Sequence, residues 1–223
     1  MKRHWKGGVL FIAVLVGLSP ALEASARFGF GAQGGLTLTN HWSTKEKGGG
    51  YTVESSIKAG FAAGALVTFR ISRLFSLEAD VLYVKKGSNQ TISIPGFPFG
   101  DIEVTYELDY MEIPFLLRTY LFPSAKIQPS LAFGPYVAFL AAKKYTYRIA
   151  AIGTEEKEIS GIESTDYGFT SGAGLTIPAN VGSLRIEYRY SMGFVDLKLP
   201  TGPGFPEIEL RNYGHYLMFG LAF

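Results

Sequence analysis

Charged residues inside alternating segments are the first candidates for chemistry in this sequence. In these segments large apolar residues alternate with small or polar ones. Four arginines and four acids occupy the small or polar positions: Arg70, Glu78, Asp80, Glu112, Arg118, Arg185, Glu187 and Arg189. Such a set could form a paired structural network, line a path for protons or small ions, or supply catalytic carboxylates. We favour the paired network, because the charges balance and an unpaired buried charge is costly.

The elements that must position these residues are predicted by the alternation itself. Apolar residues recur at every second position, which is typical of strands with one apolar face. Eight strands are predicted, over about 28–39, 57–71, 74–86, 102–121, 127–142, 166–177, 183–194 and 211–223. The fourth reverses its apolar face after Leu108, which predicts a bulge near Asp109 or an extension beyond a membrane.

Short and long connections alternate between the predicted strands. Short turns fall near 72–73, 123–125 and 179–180, and long polar loops cover about 40–56, 87–101, 143–165 and 195–210. Three short turns and four long loops are typical of a barrel with periplasmic turns and outer loops. We therefore predict an all-β fold, an eight-stranded antiparallel up-and-down transmembrane β-barrel.

The N-terminal segment indicates export. Lys2, Arg3 and Lys6 precede an apolar run over 7–18, and an A-x-A cleavage site ends at Ala26. We predict a signal peptide over 1–26 and a barrel domain over 27–223, located in the cell outer membrane of a Gram-negative-type bacterium. The remaining chain has 18 basic and 18 acidic residues, which does not favour nucleic acid as a partner.

Residue types indicate which face of the strands points inward. The faces opposite the apolar ones are rich in glycine and alanine, which pack poorly on a solvated strand but fit a narrow lumen. Lysines fall in predicted loops or at strand ends, whereas the mid-strand cations are arginines, which suit buried pairs. The small residues on the inward faces and the use of arginine within strands favour a membrane barrel with a filled lumen over a soluble barrel.

Few residues could support catalysis or metal binding. The chain has no cysteine, so disulfides and thiol catalysis are excluded. After the signal peptide it has only two histidines, His41 and His215. We interpret His41 as a solvated or interfacial loop residue, and His215 as a lipid-facing residue of the aromatic belt. We predict no cofactor, no metal site and no catalytic residues.

One predicted strand carries a family resemblance. The stretch Tyr110-Met111-Glu112-Ile113-Pro114-Phe115-Leu116-Leu117-Arg118 resembles a characteristic strand of the PorT-like outer membrane β-barrel family. The glycine-rich first strand, Gly134-Pro135-Tyr136 and the terminal aromatic Phe223 are similar to that family as well. The resemblance implies the barrel fold. It also links the family to protein secretion, although no residue here carries that role.

The leading hypothesis is a non-enzymatic barrel with a structural or surface-interaction role in its outer loops. Outer-membrane lipid and lipopolysaccharide, barrel-assembly machinery and a protein at the outer loops are the expected partners. The alternatives are a narrow channel or small-solute transporter, an accessory protein of a secretion complex, and a lipid-modifying enzyme. The charged segment 154–158 is interpreted as a solvated loop tip. The aromatics of two Pro-Gly-Phe loops, 95–100 and 200–206, could contact a partner or the outer leaflet, or could pack on each other at the barrel mouth.

Overall fold

A computed structural model describes residues 28–43, 52–96, 98, 100–149, 153–158, 163–198 and 209–223. The predicted signal peptide therefore lies outside the described residues. The strands are β1 (Phe28–Ser43), β2 (Thr52–Arg70), β3 (Phe75–Ser93), β4 (Ile102–Tyr120), β5 (Gln128–Ile149), β6 (Gly153–Glu158), β7 (Thr165–Pro178), β8 (Ser183–Gly193), β9 (Leu197–Lys198) and β10 (Glu209–Ala222).

Eight of these strands close into a ring, as the sequence predicts. Each pairs antiparallel with the next in the order β1-β2-β3-β4-β5-β7-β8-β10, and β10 pairs back with β1 from Gly31↔Ala222 to Ser43↔Leu210. The short strands β6 and β9 are additional to the ring: β6 pairs with β5, and β9 pairs with β10. Closure pairs the backbone groups of every ring strand on both sides, which a sheet surrounded by lipid requires.

Tight turns join the strands at one end of the ring. After β2 the Ser72 hydroxyl accepts hydrogen bonds from the amides of Leu74 and Phe75, at 3.2 and 3.1 Å. Between β7 and β8 the Ala179 amide donates to the Gly182 carbonyl at 2.9 Å. Gly182 has a φ of 83°, which favours glycine. This end is the periplasmic end of an outer-membrane barrel.

The outside of the ring is apolar. Phe30 and Leu36 on β1 expose 67% and 65% of their surface, and Phe115 on β4 exposes 53%. The exposed large apolar side chains lie at alternate positions on the ring strands, whereas their neighbours face the interior. Exposed apolar area on this scale marks a surface that contacts lipid. We refer to it as the lipid-facing band.

The strands on one side of the ring continue beyond this band. On β4, burial alternates without a break from Val104 to Tyr120, so the reversal of apolar face is an extension beyond the membrane. The extra residue lies on the partner strand, because Asp109 pairs with Ala142 and Tyr110 with Leu140. A five-stranded sheet, which we call the outer ribbon, is formed by residues 52–58 of β2, 85–93 of β3, 102–109 of β4, 142–149 of β5 and all of β6.

Candidate functional site

The lower half of the lumen holds a dense ion-pair network. We call its members the lower network: Glu78, Asp80, Arg118, Arg185, Glu187 and Arg189. Arg118 on β4 contacts Glu78 on β3 through two nitrogens, at 3.1 and 3.0 Å. It also reaches Glu187 on β8 at 2.6 Å. All of these side chains are buried, so β3, β4 and β8 are joined across the barrel axis.

Arg189 on β8 is the most highly connected member of the lower network. Its guanidinium contacts Glu187 at 2.5 Å, Asp80 at 2.6 Å and Glu78 at 3.0 Å. The amide oxygen of Gln33 accepts a fourth bond from it at 3.3 Å. With Arg118 and Arg185, three guanidinium groups meet three carboxylates, so the network is neutral.

Two of the eight predicted lumen charges lie elsewhere. Arg70 is not in the network, because it ends β2 at the periplasmic rim, where its guanidinium lies over the ring of Tyr120 at 4.9 Å. Glu112 lies further out along the lumen and pairs with Lys86 at 2.5 Å. Lys86 was not predicted, and the expectation that lysines occupy only loops and strand ends is wrong.

Lys86 anchors a second group of polar side chains, the upper network. Its ammonium lies 5.3 Å from the ring centroid of Tyr110 and 4.8 Å from that of Tyr136. The Tyr136 hydroxyl donates to Asp166 at 3.1 Å, and the Asn212 amide donates to the same carboxylate oxygen at 3.0 Å. Buried cations gain from such aromatic faces when a carboxylate is also present.

His41 belongs to this part of the lumen. It is 2% exposed, and its Nδ1 lies 2.6 Å from the hydroxyl of Ser88. The interpretation of His41 as a solvated or interfacial loop residue is therefore wrong. The cause is strand length, since β1 runs to Ser43 and keeps odd positions inward beyond the predicted end at 39.

Apolar residues separate and cover the two networks. Along β3 the inward residues run from Asp80 through Leu82 and Val84 to Lys86, and both apolar side chains are fully buried. They pack with inward side chains of β2 and β10, namely Ala62, Tyr216 and Met218. We call this group the apolar layer.

A second apolar group closes the outer mouth. Leu197 of β9 and Leu210 of β10 pack on inward side chains of β4 and β5, namely Val104, Tyr106, Leu108, Tyr110, Tyr136 and Ala138. We call this group the outer cap. The apolar layer and the outer cap therefore fill parts of the lumen beside and above the two paired networks.

A ladder of charges crosses the face of the outer ribbon. Glu107 on β4 accepts from Lys58 on β2 at 2.9 Å and lies 3.2 Å from Lys144 on β5, which reaches Glu156 on β6 at 3.3 Å. Lys58 crosses β3 at Gly87, where a β-carbon would approach its side chain within 3.0 Å. The hydrogen bond from Lys58 lowers the pKa of the Glu107 carboxyl.

The prediction for one segment of this ribbon is wrong. Residues 154–158 were interpreted as a charged loop tip, but they form strand β6, which pairs with β5 from Lys144↔Glu158 to Ile149↔Gly153. The Pro-Gly-Phe loops cannot be placed in the same way, because Phe97, Phe99 and residues 199–208 lie outside the described residues.

His215 lies on the outward face of β10 within an aromatic group. Its Nδ1 is 2.6 Å from the hydroxyl of Tyr188, and its ring also contacts Tyr190 and Tyr213. Tyr213 contacts Trp42 in turn. Aromatic residues at this height are typical of the interfacial belt. The hydroxyl beside His215 is a phenol rather than a serine.

The described residues contain neither a metal-binding group nor a helix that could span a membrane. Among them, no group of three or more His, Cys, Asp or Glu side chains could hold a metal ion. No helix in the described part of the chain is long and apolar enough to cross a membrane.

A closed ring of eight antiparallel strands, apolar outside and packed with polar residues inside, defines an integral outer-membrane β-barrel. The family model described as outer membrane protein beta-barrel domain matches residues 19–199, and the chain belongs to that family. It is therefore a protein of the bacterial outer membrane. No curated protein sequence matches the chain.

Solved structures of outer-membrane proteins resemble this chain but share little sequence with it. The outer membrane protein OprG of Pseudomonas aeruginosa is 13% identical, with a TM-score of 0.51, over 88% of this chain and 96% of its own. Ail of Yersinia pestis is 10% identical, with a TM-score of 0.43, over 89% and 100%. The protease OmpT of Escherichia coli is 9% identical, with a TM-score of 0.47, over 88% and 96%. The likeness to OprG shows the fold alone.

Proposed function

We propose that this protein is a non-enzymatic barrel that is inserted in the outer membrane to present the outer ribbon to a protein partner. One observation carries the proposal: a five-stranded sheet rises above the lipid-facing band on a barrel whose lumen is filled. Rigid scaffolds often carry their function on the parts that project from them. Export by a signal peptide over 1–26 is part of the same proposal.

The lumen supports the closed-barrel half of the proposal. A transporter would need a polar path, whereas buried leucines alternate here with paired charges from the apolar layer to the outer cap. Reconstituted protein should therefore show no conductance above that of lipid alone in planar bilayers. Single-channel openings would replace this proposal with the narrow-channel alternative.

Site-specific photo-cross-linking on intact cells tests the surface role. A cross-linker at Glu103, on the exposed outward side of β4 in the ribbon, should give a discrete protein adduct. The same group at Phe115, twelve positions along the strand and within the lipid-facing band, is the matched control and should give none. Adducts at neither position, repeated at Thr105, would overturn the surface role.

The identity of the adduct also addresses a narrower hypothesis. The similarity of residues 110–118 to the PorT-like family suggests an envelope protein of a secretion complex as the partner. An adduct with such a component would support that role. An adduct with an unrelated surface protein would leave the ribbon as an interaction surface and remove the secretion hypothesis.

A further inference from the structure

A cavity of about 330 Å³ lies at the periplasmic mouth of the barrel, at the opposite end from the outer ribbon. Its polar wall is contributed by β2, β3, β4, β5, β7 and β8, and Phe28 and Phe223 also line it. Arg70 and Arg185 both line it, and no acidic residue does so among the described residues. Glu78 counterbalances Arg185 in the lower network, so Arg70 contributes the unpaired positive charge of the cavity among the described residues.

The two arginines have spare hydrogen-bonding capacity. Arg70 contacts the ring of Tyr120 and forms no ion pair with the described residues. Arg185 uses its Nη1 atom for Glu78, at 2.5 Å, and lies 3.9 Å from Glu187. Its other guanidinium nitrogens form no hydrogen bond to the described part of the chain. Since each guanidinium carries five N–H donors, most of them remain available.

Two buried hydroxyls in the cavity wall are also unpaired. Ser76 and Thr176 are 1% and 7% exposed, and neither side-chain oxygen has a hydrogen-bond partner among the described residues. Buried hydroxyl groups normally have partners, so each unpaired one requires an explanation. These two side chains line the same cavity as the arginines.

We propose that this cavity binds a phosphate group. Arginine forks match phosphate oxygens in geometry and charge, and hydroxyls on separate strands can donate to the remaining oxygens. A planar carboxylate, with two oxygens, would use fewer of these donors. Two sources share this chemistry: a soluble phosphate ester of the periplasm and the headgroup of an inner-leaflet phospholipid. The site is independent of the surface role of the ribbon.

Calorimetric titration of the purified barrel in a maltoside detergent tests the proposal. The probes are inorganic phosphate, glycerol 3-phosphate and a short-chain phosphatidylglycerol below its micelle concentration. Arg70→Gln should weaken binding roughly tenfold or more, because it removes a charged donor without breaking an ion pair. Arg73→Gln, in the adjacent exposed turn, removes the same charge outside the cavity and should leave binding unchanged.

Ser76→Ala separates binding from structure. If the hydroxyl serves only the fold, its removal leaves phosphate affinity unchanged. In the binding site, the same change should lower affinity a few-fold and leave the unfolding midpoint equal or raised, because no protein partner is lost. Gel mobility without heating verifies that each variant is folded.

The outcomes divide clearly. Binding of glycerol 3-phosphate that Arg70→Gln weakens identifies a soluble ester as a sufficient ligand, whereas binding of the phospholipid alone identifies the headgroup. Both results support the site. Absence of binding by all three probes would overturn it, and so would equal weakening by Arg70→Gln and Arg73→Gln.

Discussion

Replacing Arg189 with glutamine is the most informative perturbation of the lumen. The guanidinium is 1% exposed and contacts three carboxylates and one amide, at distances from 2.5 to 3.3 Å. Glutamine keeps a polar side chain but removes the charge. The lower network would then hold three carboxylates and two arginines, and would carry one uncompensated negative charge.

The magnitude follows from what each carboxylate retains. Glu78 and Glu187 keep Arg118, at 3.0 and 2.6 Å, so both remain paired. Asp80 loses the one cation that lies within ion-pair distance of it among the described residues. Breaking a buried pair costs about 3–5 kcal/mol, and Arg189→Gln should lower the free energy of unfolding by that amount.

Urea titration of protein refolded in lipid vesicles, read as the folded fraction on an unheated detergent gel, measures this effect. Arg73→Gln is the control and should change stability by less than about 0.5 kcal/mol, because the residue is exposed in a turn. The double variant Asp80→Asn with Arg189→Gln should be more stable than Arg189→Gln alone, since it restores neutrality. Equal stability of Arg189→Gln and Arg73→Gln, or no recovery in the double variant, would refute a charge-paired lumen.

Three further predictions concern the upper lumen and the outer surface. Lys86→Met should lower the free energy of unfolding by about 3–5 kcal/mol in the same titration, and adding Glu112→Gln should recover part of the loss. The pKa of Glu107 lies below its usual 4.5, so the charge ladder stabilises the ribbon at neutral pH, and this contribution is lost as pH falls below 4.5. Hydrogen-exchange protection of 102–109 should therefore fall at pH 3 in the parent chain. The fall should be smaller in Glu107→Gln. His215→Ala should leave the lipid A composition unchanged by mass spectrometry of extracted lipid, and an altered composition would instead establish a lipid-modifying activity.

The ring of strands could be predicted because lipid and lumen impose opposite demands on successive residues. The segment 183–194, with Leu184 and Ile186 outward against Arg185 and Glu187 inward, carries both demands without ambiguity. Strand ends were harder to predict, since beyond the membrane both faces of a strand tolerate polar residues. This is why β3 and β5 extend to Ser93 and Ile149, well past the predicted ends at 86 and 142.

The pairings inside the lumen required the structure. Alternation places Glu112 and Arg118 on one face of β4, but it does not indicate that one pairs with Lys86 and the other with Glu78. Lys86 has the inward parity of Glu78, so continuing the alternation along β3 past Leu82 and Val84 would have found it. Arg70 has inward parity too, but it lies at the strand end, where the lumen opens to water.

The height of a side chain along its strand decides its role as much as the face on which it lies. In β4 the outward residues change from apolar Phe115 to acidic Glu107 where lipid gives way to water, and the inward residues change from Glu112 to Leu108 at nearly the same height. Below this level lipid covers the outer face, so the lumen can be polar and paired. Above it the outer face is hydrated, and the inner face of β4 and β5 is apolar, with the outer cap as its packing partner. The outer cap therefore both closes the mouth of the barrel and packs against the ribbon, so the closed lumen and the projecting surface depend on the same residues.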